Sequence, residues 1–192
     1  MEIIIVGCGK VGRTLAEQLS NEKHNIVIVD LNEKKIQDTA EDMDIMALHG
    51  NASSINTLME AGIETADLLI AVTGSDELNL LCCLIAKKVS ACHTIARVRN
   101  PVYSKEIGFI KRSLGLSMII NPEHAAAIEI SRILRFPSAI KIDTFAKGRV
   151  ELMKFKIKPE FKLNNMSVTE FGERYKNLIL IGAVERGDQV SI

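Results

Sequence analysis

The sequence has no excess of either charge: 24 lysines and arginines stand against 24 aspartates and glutamates in 192 residues. A chain without net positive charge lacks the general attraction to phosphate on which nucleic-acid binding rests, and it has no bulk attraction to an anionic membrane. Long hydrophobic runs are also missing. The longest, such as Leu80 to Ala86, fall far short of the roughly 18–20 residues of a membrane span, so no direct membrane insertion is expected. Cysteine is sparse, and Cys8, Cys82, Cys83 and Cys92 show no Cys-x-x-Cys spacing, which argues against a zinc site or a disulfide scaffold. Reduced thiols in a cytosolic protein are the plain reading. Neither Tyr103 nor Tyr175 is followed by lysine four residues on, and no Gly-x-Ser-x-Gly elbow occurs. Histidines 24, 49, 93 and 124 form no metal spacing and no nucleophile–base pair. No catalytic residues and no metal ligands are expected. Met1-Glu2 leads directly into Ile3-Ile4-Ile5-Val6, a strand-like opening in place of a cleavable signal.

Hydrophobic residues make up 47% of the chain, enough for a core of ordinary domain size. Over residues 1–136 short apolar runs alternate with amphipathic stretches. The runs are Ile3–Val6, Ile26–Val29, Asp44–Leu48, Leu68–Val72, Thr94–Val98 and Met118–Ile120. Continuous apolar runs suit strands buried on both faces of a parallel sheet. Asn32 is placed to cap a helix with Ile36, Ala40 and Met43 on one face. Ser53 or Ser54 is placed to cap another, with Ile55, Leu58 and Met59 inward and Gly62 closing it. Ser75 precedes the acidic pair Asp76-Glu77, with Lys87-Lys88 at the far end, and Asn121-Pro122-Glu123 starts a further helix. This order predicts an α/β fold, a doubly wound parallel Rossmann sheet.

After Arg135-Phe136-Pro137 the character changes. Met153, Phe155 and Ile157 alternate with Lys154, Lys156 and Lys158, marking a half-exposed strand after a turn at Lys147-Gly148. Ser167-x-x-Glu170 forms a capping box for a helix to about Lys176, and a strand Leu178–Val184 and a turn at Arg186-Gly187-Asp188 follow. Two domains are expected: residues 1–136, and a small α+β module over 137–192 that reads as truncated. The helix after Pro122 is apolar around most of its circumference (Ala125, Ala126, Ala127, Ile128, Ile130, Ile133, Leu134), so it calls for cover on more than one side, from the second domain or from another subunit.

The chemistry concentrates in Gly7-Cys8-Gly9-Lys10-Val11-Gly12, between the first strand and the first helix. Gly7 permits the tight turn, Gly9 lets a pyrophosphate approach the backbone, and Gly12 allows helix and strand to pack closely. Asp30 ends the second strand eighteen residues beyond Gly12, placed to accept from ribose hydroxyls and to disfavour a 2′-phosphate. NAD is thereby preferred to NADP. Ribose and pyrophosphate do not by themselves require a nicotinamide, and ATP or ADP has the same handles. Lys10 and Arg13 put cations near the phosphates. Thr73-Gly74 lie where adenosine or ribose would rest. Arg97 and Arg99 are expected to face opposite ways, one to a phosphate and one into a structural ion pair.

The segments Gly7–Ala16, Ala66–Thr73, Ser75-Asp76-Glu77-x-Asn79 and Ala96-Arg97-Val98-Arg99-Asn100-Pro101 together resemble the RCK (KTN, TrkA-N) regulatory domains of potassium transport systems. The resemblance runs over residues 1–136, with 137–192 similar to the start of the small C-terminal RCK-C module. It implies a cytoplasmic, nonenzymatic regulator at the inner face of the membrane. Such a regulator assembles as a homodimer or ring beneath a potassium channel or transporter and senses NAD+/NADH or ATP/ADP. By motif match, Gly7, Cys8, Gly9, Lys10 and Val11 hold the pyrophosphate and Asp30 the ribose. Asn51-Ala52 lie near the adenine, Thr73-Gly74 on the adenosine side and Arg97 at a phosphate. Glu123 matches a position that in some relatives lies at the dimer interface and meets a cation. Two other readings remain: a fragment of an NAD-dependent oxidoreductase, and a dimerisation module with a vestigial pocket.

Overall fold

The computed structural model describes residues 1–104, 106–146, 149–158, 163, 166–175 and 179–191. Each expected apolar run in the first half becomes a strand. In chain order the elements are β1 (Glu2–Val6), α1 (Lys10–Asn21), β2 (Asn25–Asp30), α2 (Glu33–Asp42), β3 (Met46–His49), α3 (Ile55–Glu60), β4 (Leu68–Ala71) and α4 (Asp76–Val89). β5 (His93–Arg97), α5 (Pro101–Ser104), α6 (Ile107–Ser113), β6 (Met118–Ile120) and α7 (Pro122–Arg135) follow. The six strands form one parallel sheet in the order β3-β2-β1-β4-β5-β6. The order reverses between β1 and β4, so their carboxyl ends flank a crevice where the two crossover directions part.

Period-two alternation divides the core. Ile3, Ile5, Ile28, Ile70 and Val72 face one layer with Ala16 of α1 and Ile36 of α2. Ile4, Val6, Leu69, Ala71 and Ala96 face the other with Leu58 of α3 and Cys82, Cys83 and Ala86 of α4. Two of the expected caps form, whereas Ser54 stands at the N-cap of α3 without a side-chain cap hydrogen bond. Asn32 accepts from the Lys35 amide at 3.1 Å, and Ser75 accepts from the Leu78 amide at 3.1 Å.

Three local expectations need correction. On α2 the inward residue beside Ile36 is Thr39, not Ala40, because the Thr39 hydroxyl satisfies itself on the Lys35 carbonyl at 2.7 Å. On α3 only Leu58 is buried; Ile55 and Met59 are exposed, since a helix of six residues presents little more than one position to the sheet. β3, at the sheet edge, exposes Met46 and His49 instead of burying both faces.

The chain divides into two compact units, residues 1–128 and 129–192, and α7 runs across the division. Described by itself, the second unit contains an antiparallel pair, β7 (Ala139–Phe145) with β8 (Val150–Phe155). It also contains α8 (Val168–Arg174) and a second antiparallel pair, β9 (Val184–Arg186) with β10 (Gln189–Ser191). The capping box forms on both sides: Glu170 donates its amide to Ser167, and its carboxylate accepts from the Ser167 amide. The turn at Lys147-Gly148, the helix end at Lys176 and the strand start at Leu178 lie outside the described residues. Residues 179–183 are not a strand. This apolar stretch has no partner strand among the described residues, and Leu180 is exposed. No residue of α7 is buried, and Ile130, Ile133 and Leu134 are exposed. No described helix is long and apolar enough to cross a membrane.

All four cysteines are buried and free. Burial pushes the Cys82 thiol up to about 12, and it raises Cys83 as well, with Cys82 and Cys92 nearby adding to the effect. The thiolate is the reactive form, and burial shields all four sulfurs from reagent, so at pH 8 a disulfide reagent should label none of the four thiols of the native chain within minutes. It should label all four in denaturant. Rapid labelling under native conditions would contradict this core.

Candidate functional site

The glycine turn works through contacts that a side chain would destroy. Gly7 has φ +106°, and its amide donates to the Val29 carbonyl at 2.8 Å. An added Cβ there would lie 2.9 Å from the Thr73 nitrogen, and at Gly12 it would lie 1.8 Å from the Gly7 carbonyl oxygen. Gly9 faces open space. The close approach at Gly12 is what lets α1 start directly behind β1.

A helix cannot satisfy its own first amides. The Gly9, Lys10 and Val11 amides take no acceptor among the described residues, and the first internal bond runs from the Arg13 amide to the Gly9 carbonyl at 2.9 Å. The mouth of α1 therefore presents unpaired N–H groups and the positive end of the helix dipole at the carboxyl edge of the sheet, an arrangement suited to anionic oxygen. Gly7 and Cys8 act differently from the three amides after them, because their own amides are taken. The Cys8 amide donates to Asp30 Oδ2 at 2.6 Å, and the Asn32 amide donates to Asp30 Oδ1 at 2.8 Å. Both Asp30 oxygens are oriented by backbone donors, and each keeps a lone pair for a further donor. The Cys8 thiol is buried against the Thr39 hydroxyl at 3.0 Å.

The two cations expected near the loop part company. Lys10 is exposed, with no ion pair among the described residues. Arg13 is not at the loop: it pairs with Asp42 at the end of α2 at 2.6 Å, and that hydrogen bond raises its already high pKa. Asn51 accepts from the Ser53 amide at 3.0 Å and the Ser53 hydroxyl at 2.8 Å, which shapes the loop after β3. Ala52 is buried, and its carbonyl accepts from the Cys82 thiol at 3.2 Å.

Across the crevice, Thr73-Gly74 are held by residues whose role was not read from the sequence. Asn79 is fully buried. Its Oδ1 accepts from the Thr73 amide at 2.8 Å and the Thr73 hydroxyl at 2.7 Å, and its Nδ2 donates to the Arg97 carbonyl at 2.9 Å. Asp76 Oδ2 accepts from the Arg99 and Asn100 amides at 2.9 and 2.7 Å. The Tyr103 hydroxyl donates to Glu77 at 2.9 Å. Glu77 is held below the ordinary carboxylate range by its own backbone amide, then by Tyr103 and by Ser75. Two carboxylates, one amide side chain and one phenol thus join the ends of β4 and β5. The signal was present in the spacing Asp76-x-x-Asn79 at a helix start, where polar residues serve capping and loop bracing alike.

Arg97 and Arg99 do not face opposite ways through strand alternation, which puts residues two apart on the same face. They part because β5 ends at Arg97. Arg97 pairs with Glu123 of α7, while Arg99 donates to the Gly74 carbonyl at 2.6 Å and lies 3.8 Å from Asp76. Both are ion-pair partners. The histidines stay apart: His49 meets the Leu31 carbonyl at 3.0 Å, His93 meets Ser117 at 3.2 Å, and His24 lies 3.7 Å from Glu22. No cluster of three or more metal-ligating side chains occurs among the described residues.

A doubly wound sheet with an open helix mouth and an oriented carboxylate at its switch point defines the Rossmann class of nucleotide-binding folds. Within that class the comparisons are specific. The TrkA-N domain family model matches residues 3–122, and the chain belongs to that RCK/TrkA-N family. A Trk system potassium uptake protein TrkA homolog of Archaeoglobus fulgidus is 33% identical over 192 residues, all of this chain and 43% of the relative. The chain spans less than half the length of the curated relatives it matches. Among solved structures, the TrkA-N domain of the Escherichia coli inner membrane protein ybaL superposes with TM-score 0.62 at 22% identity. That match covers 69% of this chain and 96% of that one. The GsuK channel bound to NAD superposes at TM-score 0.54 and 24% identity over 62% of this chain and 21% of the channel. The same channel has also been solved bound to ADP.

The glycine contacts predict opposite outcomes at two neighbouring positions. Gly12→Ala should cost about 3 kcal/mol or more, because backbone must move, whereas Gly9→Ala should stay within about 1 kcal/mol. Asn79→Ala should cost about 2–3 kcal/mol by stranding the Thr73 amide and the Arg97 carbonyl. Urea unfolding of the three variants checks all three values, and a tolerated Gly12→Ala would contradict the close approach.

Proposed function

We propose that this chain is the nucleotide-sensing part of a cytosolic regulator of potassium uptake, which binds an adenine nucleotide as a signal and leaves it chemically unchanged. The observation that carries the reading is the row of unpaired amides at Gly9, Lys10 and Val11 beside the braced carboxylate of Asp30. In the bound state those amides hold the pyrophosphate, Lys10 adds charge, Asp30 accepts from the ribose, and Asn51, Ala52, Thr73 and Gly74 flank the adenosine. Arg13 is tied to Asp42, which leaves Lys10 as the cation inside the loop and favours a two-phosphate ligand, NAD+/NADH or ADP, over ATP. Family membership, curated relatives named for potassium uptake and a similar channel solved with NAD and with ADP support the assignment.

The membrane partner in this reading is a potassium transporter or channel subunit, and the regulator sits at the inner face of the membrane. A homodimer forms over α7, whose exposed Ile130, Ile133 and Leu134 call for cover. Regulation then requires only that the nucleotide bind one assembly state more tightly than another. Residues 137–192 serve as the start of the RCK-C module.

Calorimetric titration with NAD+, NADH, ADP and ATP, with light scattering for assembly size, tests the proposal. Micromolar or tighter binding of NAD+, NADH or ADP is expected, with ATP weaker and no turnover. Asp30→Ala should weaken NAD+ at least about tenfold, the equivalent of 1.4 kcal/mol. Absence of binding by all four nucleotides would remove the reading.

A further inference from the structure

Arg97 is held at its backbone and under-satisfied at its side chain. Asn79 fixes its carbonyl, one terminal guanidinium nitrogen donates to Glu123, and Nε is buried with no acceptor among the described residues. The side chain is only 14% exposed, so an unused donor there is costly. Ile95, two residues earlier, packs in the α1–α2 layer, so alternation projects Arg97 from the sheet face that carries α1 and the open amides.

Glu123 is the opposite kind of partner. Its side chain is 54% exposed, so it can be rehydrated at little cost when released. It lies in the first turn of α7, where a carboxylate is favoured by the helix dipole whether or not Arg97 is present. Burial pushes its pKa up, but its own backbone amide, the Arg97 hydrogen bond and the charges of Arg97 and Arg99 outweigh that and hold it below the ordinary range. It is therefore a persistent anion. The same turn is anchored by Asn121, whose side chain accepts from the His124 amide at 2.9 Å and donates to the Arg99 carbonyl at 3.2 Å. A mostly buried cation with an unused Nε donor facing an exposed anion makes an asymmetric pair. A phosphate brings more acceptor oxygens to the guanidinium than Glu123 does, and bidentate geometry with them.

Resting on the nucleotide-binding reading above, we propose that Arg97 exchanges partners. Without ligand it holds Glu123, and with it the first turn of α7, to the end of β5. With a diphosphate in the crevice it turns to the phosphate and releases Glu123. Glu123 is then a positioning residue that competes with the nucleotide for Arg97 and reports occupancy to α7, the helix that crosses from residues 1–128 into 129–192. Competition lowers apparent affinity by the fraction of chains in which Arg97 is free.

The test uses the full chain with ADP and NAD+ as probes. Glu123→Gln should tighten ADP binding about fivefold, as expected if Arg97 is free in about a fifth of unliganded chains. The same change in an Arg97→Met background should produce no gain. In the unmodified chain, saturating ADP should speed amide exchange in residues 123–127, and in Glu123→Gln that exchange should already be fast without ligand. If circular dichroism shows Glu123→Gln unfolded, exchange in the unmodified chain decides alone. Unchanged affinity in a folded Glu123→Gln, or unchanged exchange in a chain that binds ADP normally, overturns the partner exchange and leaves the nucleotide reading standing. Failure of the unmodified chain to bind either probe overturns both.

Discussion

The site depends on a property of every α-helix: its first amides have no partner inside the helix. At some other helices a side chain meets that need, as Asn32 does for α2 and Ser75 for α4. At α1 none does, because the residue before the helix is Gly9, which has no side chain to offer. The same glycine spacing that brings α1 against β1 thereby leaves the helix mouth open. Close packing and an open helix mouth are two results of one local constraint, and Gly7 and Gly12 enforce it by leaving no room for a Cβ.

Around that opening the protein uses polar side chains as braces. Asp30 joins the glycine turn to the end of β2 through two amides, and Asn79 with Asp76 joins the loops after β4 and β5. Buried, as Asn79 and Asp76 are, or half-buried, as Asp30 is, such groups are stable because their acceptors and donors are matched to backbone partners. The exceptions are Asp76 Oδ1 and Arg97 Nε, which are buried without a hydrogen bond among the described residues. Both lie at the carboxyl edge, where the ligand is proposed to sit. A rigid frame with a few unfilled valences is the arrangement expected of a binding site that must respond to its ligand.

Much of this was legible in the sequence because it is local. The apolar runs place all six strands of the large sheet. Asn32, Ser75 and the Ser167–Glu170 box mark helix starts through side-chain to backbone bonds spanning three residues. The glycine turn and Asp30 follow from spacing. Most of what escaped the reading is set by distant partners. Arg13 turns to Asp42 across two helices, and Arg97 meets Glu123 across twenty-six positions. Thr39 replaces Ala40 inside because a hydroxyl bonded to its own helix can be buried. Residues 179–183 look like a strand by composition, yet a strand needs a neighbour, and none is present among the described residues.

The central claim is that unpaired amides at the start of α1 grip the phosphates of an intact adenine nucleotide. Amide chemical-shift mapping of the isotope-labelled chain during addition of ADP tests it most directly. The account predicts the largest shifts at Gly9, Lys10 and Val11, smaller ones at Cys8 and Asn32 through Asp30, and recovery of the nucleotide unchanged afterwards. Shifts confined to residues outside this crevice, or steady conversion of the nucleotide during the titration, would contradict it.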